Sequence, residues 1–287
     1  MRLAVLSDIH GNLPALEAII DDMQAFEPDH VIVAGDTINW GAFSAQTAEH
    51  VLTQSWAVIR GNHEFYMLDY DTPRAPTYWK DWTLPPWLRE TIPPHIKHGI
   101  AALPDTLELF YENVPPIRVV HASPGTHWQG IYNETSDDDA LAMLTNTQQK
   151  TVIIGHTHLQ MDRYVGDYHI INPGSAGTPL DGLPGEAMYA LLDSDNDGWK
   201  ATFRRVKYDL QPLIDEFERI DFIGRHGATG LLLIEEFKMA RPLIWGFNRW
   251  CEENKHPKSL ENAHRYIDQG VLWEYLHPFY HINMPIL

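Results

Sequence analysis

Asp8 and His10 stand two residues apart, directly after the apolar run 3–6. Side chains so spaced beyond a strand end can aim the same way and reach one ion. Alone the pair decides nothing, because Asp-x-His arises often by chance. Three more donors occupy equivalent places: Asp36 after the run 31–34, Asn62 after 56–59, and His121 after 117–120. His156 and His158, again two apart, follow 152–154. Seven such donors at five strand ends are hard to explain as polar groups satisfied inside a core, and they point to a metal centre.

The donor types fit two divalent ions. Such ions would bring four positive charges, of which Asp8 and Asp36 offset two, and the surplus suits a hydroxide and an anionic substrate. A bridging carboxylate would hold the ions ~3.5–4 Å apart. Asp36, read as the end of the central strand, is the natural bridge. Imidazole and oxygen donors without thiolate favour Mn, Fe, Zn, Co or Ni over Ca, disfavour a Mg-only site, and leave the metal's identity open. Water bridging two such ions falls in pKa from about 15.7 toward ~7, so hydroxide can attack phosphorus in line at neutral pH. The reaction expected is phosphoester hydrolysis.

The elements that must position these donors read as strands alternating with helices in the first third, with Leu16, Ile19, Ile20 and Met23 on one face of the first helix. Open α/β sheets place their sites where the loops beyond strand carboxyl ends converge. Residues 66–104 carry Tyr78-Trp79-Lys80-Asp81-Trp82 among several prolines, which suggests a helical, aromatic-rich insertion or lid. Most of those aromatics are expected simply to pack it onto the body. After Met161 the period shortens to strands, implying a second sheet built largely of hairpins. From Tyr208 onward the pattern is helical. The expected division is a domain over 1–207 and a helical extension over 208–287, which caps the body or forms a subunit contact, here a homo-oligomer.

Taken together, Asp8-Ile9-His10, Gly35-Asp36, Gly61-Asn62-His63-Glu64, His121 and Gly155-His156-Thr157-His158 resemble the calcineurin-like metallophosphoesterases over roughly residues 1 to 206. Ser7 to Asn12 and Asn172-Pro173-Gly174-Ser175 look most like the small bacterial and archaeal phosphodiesterase branch. The resemblance implies an α/β fold, a four-layer αββα sandwich of two mixed sheets flanked by helices. It also implies that Asp8, His10, Asp36 and His158 hold one metal, and Asp36, Asn62, His121 and His156 the other. In similar enzymes the histidine after the ligand asparagine faces the substrate, so His63 is expected to act as general acid or charge stabiliser beside Asp36 and Asn62. Protein phosphatases of this superfamily carry Asp and Arg where this chain has Asn39 and Trp40. Asn39 is left to orient His63 without charge, and Trp40 cannot clamp a dianion. Arg60 is equally compatible with a structural salt bridge and a phosphate contact.

Composition narrows the partners. With 39 Asp and Glu against 21 Lys and Arg, a formal charge of −18 leaves no extensive basic surface for a nucleic-acid backbone. The single Cys251 rules out an internal disulfide and a thiolate cluster. No window offers the ~18 consecutive apolar residues of a membrane span, and the first residues lack a signal-peptide pattern, so a cytoplasmic protein is expected. Two decoys are set aside. Asp193 to Gly198 begins like an EF-hand loop, but its twelfth position is Arg204 where a bidentate Glu is required, so it is read as a hairpin turn. Asn172 to Gly177 lacks the Lys of a phosphate-cradling loop and is read as a turn shaping one wall of the site. The function expected is a phosphodiesterase of small or nucleotide-like substrates, since few basic clamps suit a monoanionic diester. The alternatives are a phosphomonoesterase or nucleotide phosphatase, and a non-catalytic scaffold of the same fold.

Overall fold

Leu3 and Val5 face one way and Ala4 and Leu6 the other, yet all four are fully buried, so this strand must be covered on both sides. The computed structural model, which describes residues 1–195 and 198–281, shows what covers it. Along the chain run β1 (Arg2–Leu6), α1 (Leu13–Gln24), β2 (His30–Val33), α2 (Ser44–Leu52), β3 (Ala57–Val58), α3 (Asn62–Asp69), α4 (Leu84–Thr91), α5 (Pro94–Ala102), β4 (Leu107–Leu109), β5 (Ile117–Val119), α6 (Asp137–Met143) and β6 (Thr151–Ile153). There follow β7 (Gln160–Val165), β8 (Tyr168–Pro173), β9 (Glu186–Asp195), β10 (Gly198–Lys207), α7 (Gln211–Arg219), α8 (Phe222–His226), α9 (Ala228–Met239), α10 (Leu243–Asn254), α11 (Leu260–Asp268) and α12 (Leu272–Tyr275). Single 3₁₀ turns lie at Thr77–Asp81 and Pro278–Tyr280.

Two mixed five-stranded sheets form, in the orders β10-β9-β1-β2-β3 and β4-β5-β6-β8-β7. Leu3, Val5 and Ile32 of the first meet Ile117, Val119, Ile153 and Ile171 of the second, which makes the middle of a four-layer αββα sandwich. Ala15, Leu16, Ile19 and Met23 of α1 cover the outer face of the first sheet, and Ala140 of α6 that of the second. Two sequence expectations need correction. The hairpin β9–β10 joins the first sheet, antiparallel to β1, while β5 and β6 cross to the second. That second sheet therefore has a parallel centre of β5, β6 and β8 rather than a stack of hairpins. The central strand of the first sheet is β1, not β2, so Asp36 sits one strand off centre. The turn expected within Asp193 to Gly198 includes Asn196 and Asp197, which lie outside the described residues.

The insertion packs Leu88 of α4, Ile92 just beyond it, and Ile96 and Ile100 of α5 onto Ala48 of α2. The C-terminal helices have a core of their own around Leu232, Phe247, Trp250 and Tyr266. Through Leu213, Phe217 and Phe222 they also touch Leu84 of the insertion and Trp40. Among the described residues no helix is long and apolar enough to cross a membrane.

Glu236 is buried in this helical layer. Its Oε1 accepts from the N–H groups of Leu243 (2.5 Å) and Ile244 (2.8 Å), two first-turn donors of α10 that no helical carbonyl can serve. Burial outweighs those bonds and pushes the carboxyl from 4.5 up to about 7. Between these values the folded chain binds more protons than the unfolded one, so stability falls as pH rises from 4.5 to about 7 and levels off above. The span corresponds to about 3 kcal/mol. Melting curves of the wild type and Glu236→Gln across that window should diverge with rising pH, the wild type losing ground; a constant gap would show that the carboxyl titrates normally.

Candidate metal centre

The seven donors expected from sequence all reach one buried cluster between the carboxyl ends of the two sheets. Asp8, His10, Asp36 and His121 are essentially inaccessible, and Asn62 and His158 are nearly so. Five of the seven lie in left-handed backbone: Asp8 (φ 55°), His10 (50°), Asp36 (55°), His156 (67°) and His158 (60°). Each such non-glycine conformation costs about 1–3 kcal/mol and persists only where its surroundings enforce it. Here the loops brace one another. Asp8 N–H donates to the Gly35 carbonyl (3.1 Å), His10 N–H to the Asp36 carbonyl (2.9 Å), and His156 N–H to Asp8 Oδ2 (3.0 Å). Two glycines make the approach feasible: a Cβ on Gly61 would overlap the Asp36 carboxylate, and one on Gly155 would overlap Ser7 and Asp8.

The donor atoms converge in two groups. In one, His158 Nε2 lies 3.3 Å from Asp8 Oδ1 and 3.1 Å from His10 Nε2. In the other, His121 Nε2 lies 3.1 Å from Asp36 Oδ2 and 2.9 Å from Asn62 Oδ1, and His156 Nδ1 is 2.9 Å from the same amide oxygen. Asp36 Oδ2, a member of the second group, also lies 3.7 Å from His10 Nε2 of the first. A third grouping, His10, Asp36 and His63, is also compact enough to hold an ion.

The residues fit divalent cations. His121 donates its Nδ1–H to the Ala34 carbonyl (2.8 Å) and His158 donates its Nδ1–H to the Thr178 carbonyl (2.6 Å). Their Nε2 lone pairs therefore face oxygens that are themselves acceptors. Such a meeting requires a proton or a cation. Burial opposes a charge on His121, yet Asp36 and Asp8 push it up to about 10, while burial opposes and His158 and His121 secure ionisation of Asp8 down to about 2. The cluster demands positive charge, and Nδ1–H donation that aims Nε2 inward is how metal-binding histidines are oriented.

Of three features beside the donors, one departs from expectation, one resolves an open alternative and one agrees. Asn39 does not orient His63: its Oδ1 accepts from Trp40 N–H (2.8 Å), a local turn that the left-handed backbone at both residues favours, and among the described residues His63 Nδ1 has no partner. Arg60 pairs with Asp105 and donates to the Ala101 carbonyl, so it is a structural salt bridge. Trp40 stacks on His10 at 4.4 Å and 19°, placing an uncharged indole beside the cluster.

Sequence reasoning also missed three residues. Glu64, visible in the Gly-Asn-His-Glu run, accepts four backbone N–H groups, from Asp36 (3.0 Å), Thr37 (2.8 Å), Ile38 (3.2 Å) and Gly61 (2.7 Å). Ser175 Oγ donates to the Asp8 carbonyl (2.7 Å), so the glycine-rich turn after β8 buttresses a ligand loop as well as walling the site. Tyr280, from the far end of the chain, donates to the carbonyl of Thr157 between His156 and His158 (3.3 Å). Nothing local in the sequence signals that last contact.

Comparison with known proteins places the chain in a family. Residues 1–197 match the calcineurin-like phosphoesterase superfamily domain. The chain is 25% identical over 226 residues to the uncharacterized protein MJ0912 of Methanocaldococcus jannaschii, covering 73% of this chain and 88% of that one. It is 26% identical over 208 residues to phosphodiesterase YfcE of Escherichia coli K12, covering 68% and 89%. A metallophosphoesterase from Sphaerobacter thermophilus shares the fold with a TM-score of 0.64 at 23% identity, covering 84% of this chain and all of that one. With the family domain spanning well over half of its length, this chain belongs to the calcineurin-like phosphoesterase superfamily.

Proposed function

We propose that this protein is a two-metal phosphodiesterase acting on small phosphodiesters. The observation that carries the reading is Asp36 Oδ2, a single buried oxygen placed between two converging donor groups. Asp8, His10, Asp36 and His158 would hold one ion, and Asp36, Asn62, His121 and His156 the other. When bound, the ions supply the Lewis acidity that makes water a nucleophile near neutral pH and offsets phosphoryl charge.

The chain's own residues do the rest. His63 stands outside the two donor groups, with its Nε2 3.9 Å from Asp36 Oδ2, and its N–H is the donor for the departing alcohol. Glu64 keeps Asp36 and Asn62 in register by tying their loops together. Trp40 contributes ring surface and no charge, and Arg60 is spent on Asp105, so a phosphomonoester dianion finds no guanidinium clamp here. A monoanionic diester needs none. The formal charge of −18 argues for small substrates over extended nucleic acid, and the phosphodiesterase relative supports the same reaction class.

The test is elemental analysis of the purified protein followed by hydrolysis of bis-p-nitrophenyl and p-nitrophenyl phosphate with added Mn, Ni or Zn. Two ions per chain and a higher kcat/KM for the diester are expected. Preference for the monoester would replace the diester reading, and a metal-free, inert protein would point to a scaffold.

A further inference from the structure

Five aromatic side chains gather beside His63, and packing accounts for only some of them. Tyr66 of α3 touches the His63 ring edge to face (centroids 5.0 Å, 81°). Onto Tyr66 lean three indoles from two distant segments: Trp79 (4.9 Å) and Trp82 (5.2 Å) from the insertion, and Trp128 (5.2 Å) from the loop after β5. Trp79 is 3% exposed and anchors the insertion, as the sequence led one to expect of these rings. Trp82 and Trp128 are 39% and 47% exposed, and Tyr78, against Trp82, is 62% exposed. Large apolar rings left open next to a reactive cluster mark a binding surface.

The shelf is also held rigid. Trp82 lies near-parallel to the buried Trp79 (20°, 5.8 Å), which fixes its plane while the residue stays 39% exposed. Trp128 is set by its loop, where its N–H donates to Thr126 Oγ1 (3.1 Å) and Ser123 Oγ donates to the Gln129 carbonyl (2.7 Å). Because the shelf adjoins His63, the proposed donor to the departing alcohol, it faces that alcohol and not the attacking water. Its indole and phenol rings grip a flat ring by stacking.

Resting on the phosphodiesterase reading for its orientation, we propose that Tyr66, Trp82 and Trp128 form a stacking subsite for an aromatic ring on the alcohol of the scissile ester, a nucleobase in a natural substrate. The subsite defines the substrate class as nucleoside-type diesters in preference to alkyl or glycerol diesters.

The test is calorimetric and independent of turnover. Adenosine 5′-monophosphate and ribose 5-phosphate carry the same phosphate and sugar and differ in the base, so their affinities for the metal-loaded protein isolate the shelf. Wild type should bind the adenosine compound about tenfold tighter or more. Trp82→Ala with Trp128→Ala should reduce that ratio to about twofold or less with metal content unchanged, and Trp128→Phe, which restores a ring, should recover most of it. Equal affinities in wild type, or a ratio that survives removal of both indoles, would overturn the subsite. A retained base preference in a protein that hydrolyses no diester would leave the shelf standing and remove the reaction assigned to it.

Discussion

Replacing His63 with alanine is expected to lower turnover of a diester with an alkyl leaving group by about 10²–10⁴-fold while the protein keeps both ions. The ring is held by its neighbours: Trp40 (4.7 Å, 84°), Tyr66 (5.0 Å, 81°) and His10 (4.5 Å, 79°) surround it, and its backbone N–H donates to Asp36 Oδ1 (2.8 Å). Burial in this setting pushes its pKa down to about 4, so the ring is neutral at neutral pH and retains one N–H. Among the described residues Nδ1 has no partner, which leaves the ring a nitrogen uncommitted to the scaffold. The loss should shrink with p-nitrophenyl esters, because p-nitrophenolate departs with little help from a hydrogen-bond donor. That contrast separates stabilisation of the departing alkoxide from general damage. Metal content provides the other check, since His63 also sits in a grouping with His10 and Asp36 compact enough for an ion. Loss of one ion from His63→Ala would make it a ligand and cancel the donor role, whereas Asn62→Ala should weaken the ion shared with His121 and His156.

How much of this was legible beforehand follows from what local pattern can encode. The convergence of the seven side chains was readable because each follows an apolar run within four residues, and the repetition of that pattern at five strand ends carries what no single pair does. Which sheet a strand joins is a different matter. Residues 117–120 and 152–154 look just like 3–6 and 31–34, yet β5 and β6 pair with each other and β8 while β1 takes β2 and β9. Pairing is settled by the whole set of buried faces, not by any one run. Asn39 shows a finer limit: its residue type allowed a hydrogen bond to His63, but the left-handed turn at Asn39 and Trp40 satisfies it locally first. Tyr280 shows the opposite limit, a contact across 123 residues whose partner is a main-chain oxygen that carries no sequence signature.

Removing the carboxylate of Glu64 should unsettle the whole centre without touching a ligand. Glu64 is 1% exposed, and its two oxygens each accept a pair of N–H groups: Oε1 from Thr37 and Ile38, Oε2 from Asp36 and Gly61. Burial and the charge of Asp36 push this carboxyl up to about 7, against the four donors that favour its ionised form, so the group is retained at an electrostatic cost. Its return is geometric. Asp36 stands at φ 55° with its N–H pinned by Glu64, and His63 N–H then donates to Asp36 Oδ1, so one carboxylate fixes the proposed bridge and the proposed donor together. Glu64→Ala would strand four buried donors at roughly 1–3 kcal/mol each, partly relieved by water entering the gap, for a net loss of about 4 kcal/mol or more. For a chain of this size that lowers Tm by about 10 °C. Glu64→Gln keeps the shape but turns an NH₂ toward one of the two donor pairs, so an intermediate loss is expected. Because Asp36 is the proposed bridge between the ions, the alanine variant should also lose ions faster to a chelator than wild type. A Glu64→Ala protein that melts with wild type and keeps its metal would show that the ligand loops hold their left-handed conformation without this brace.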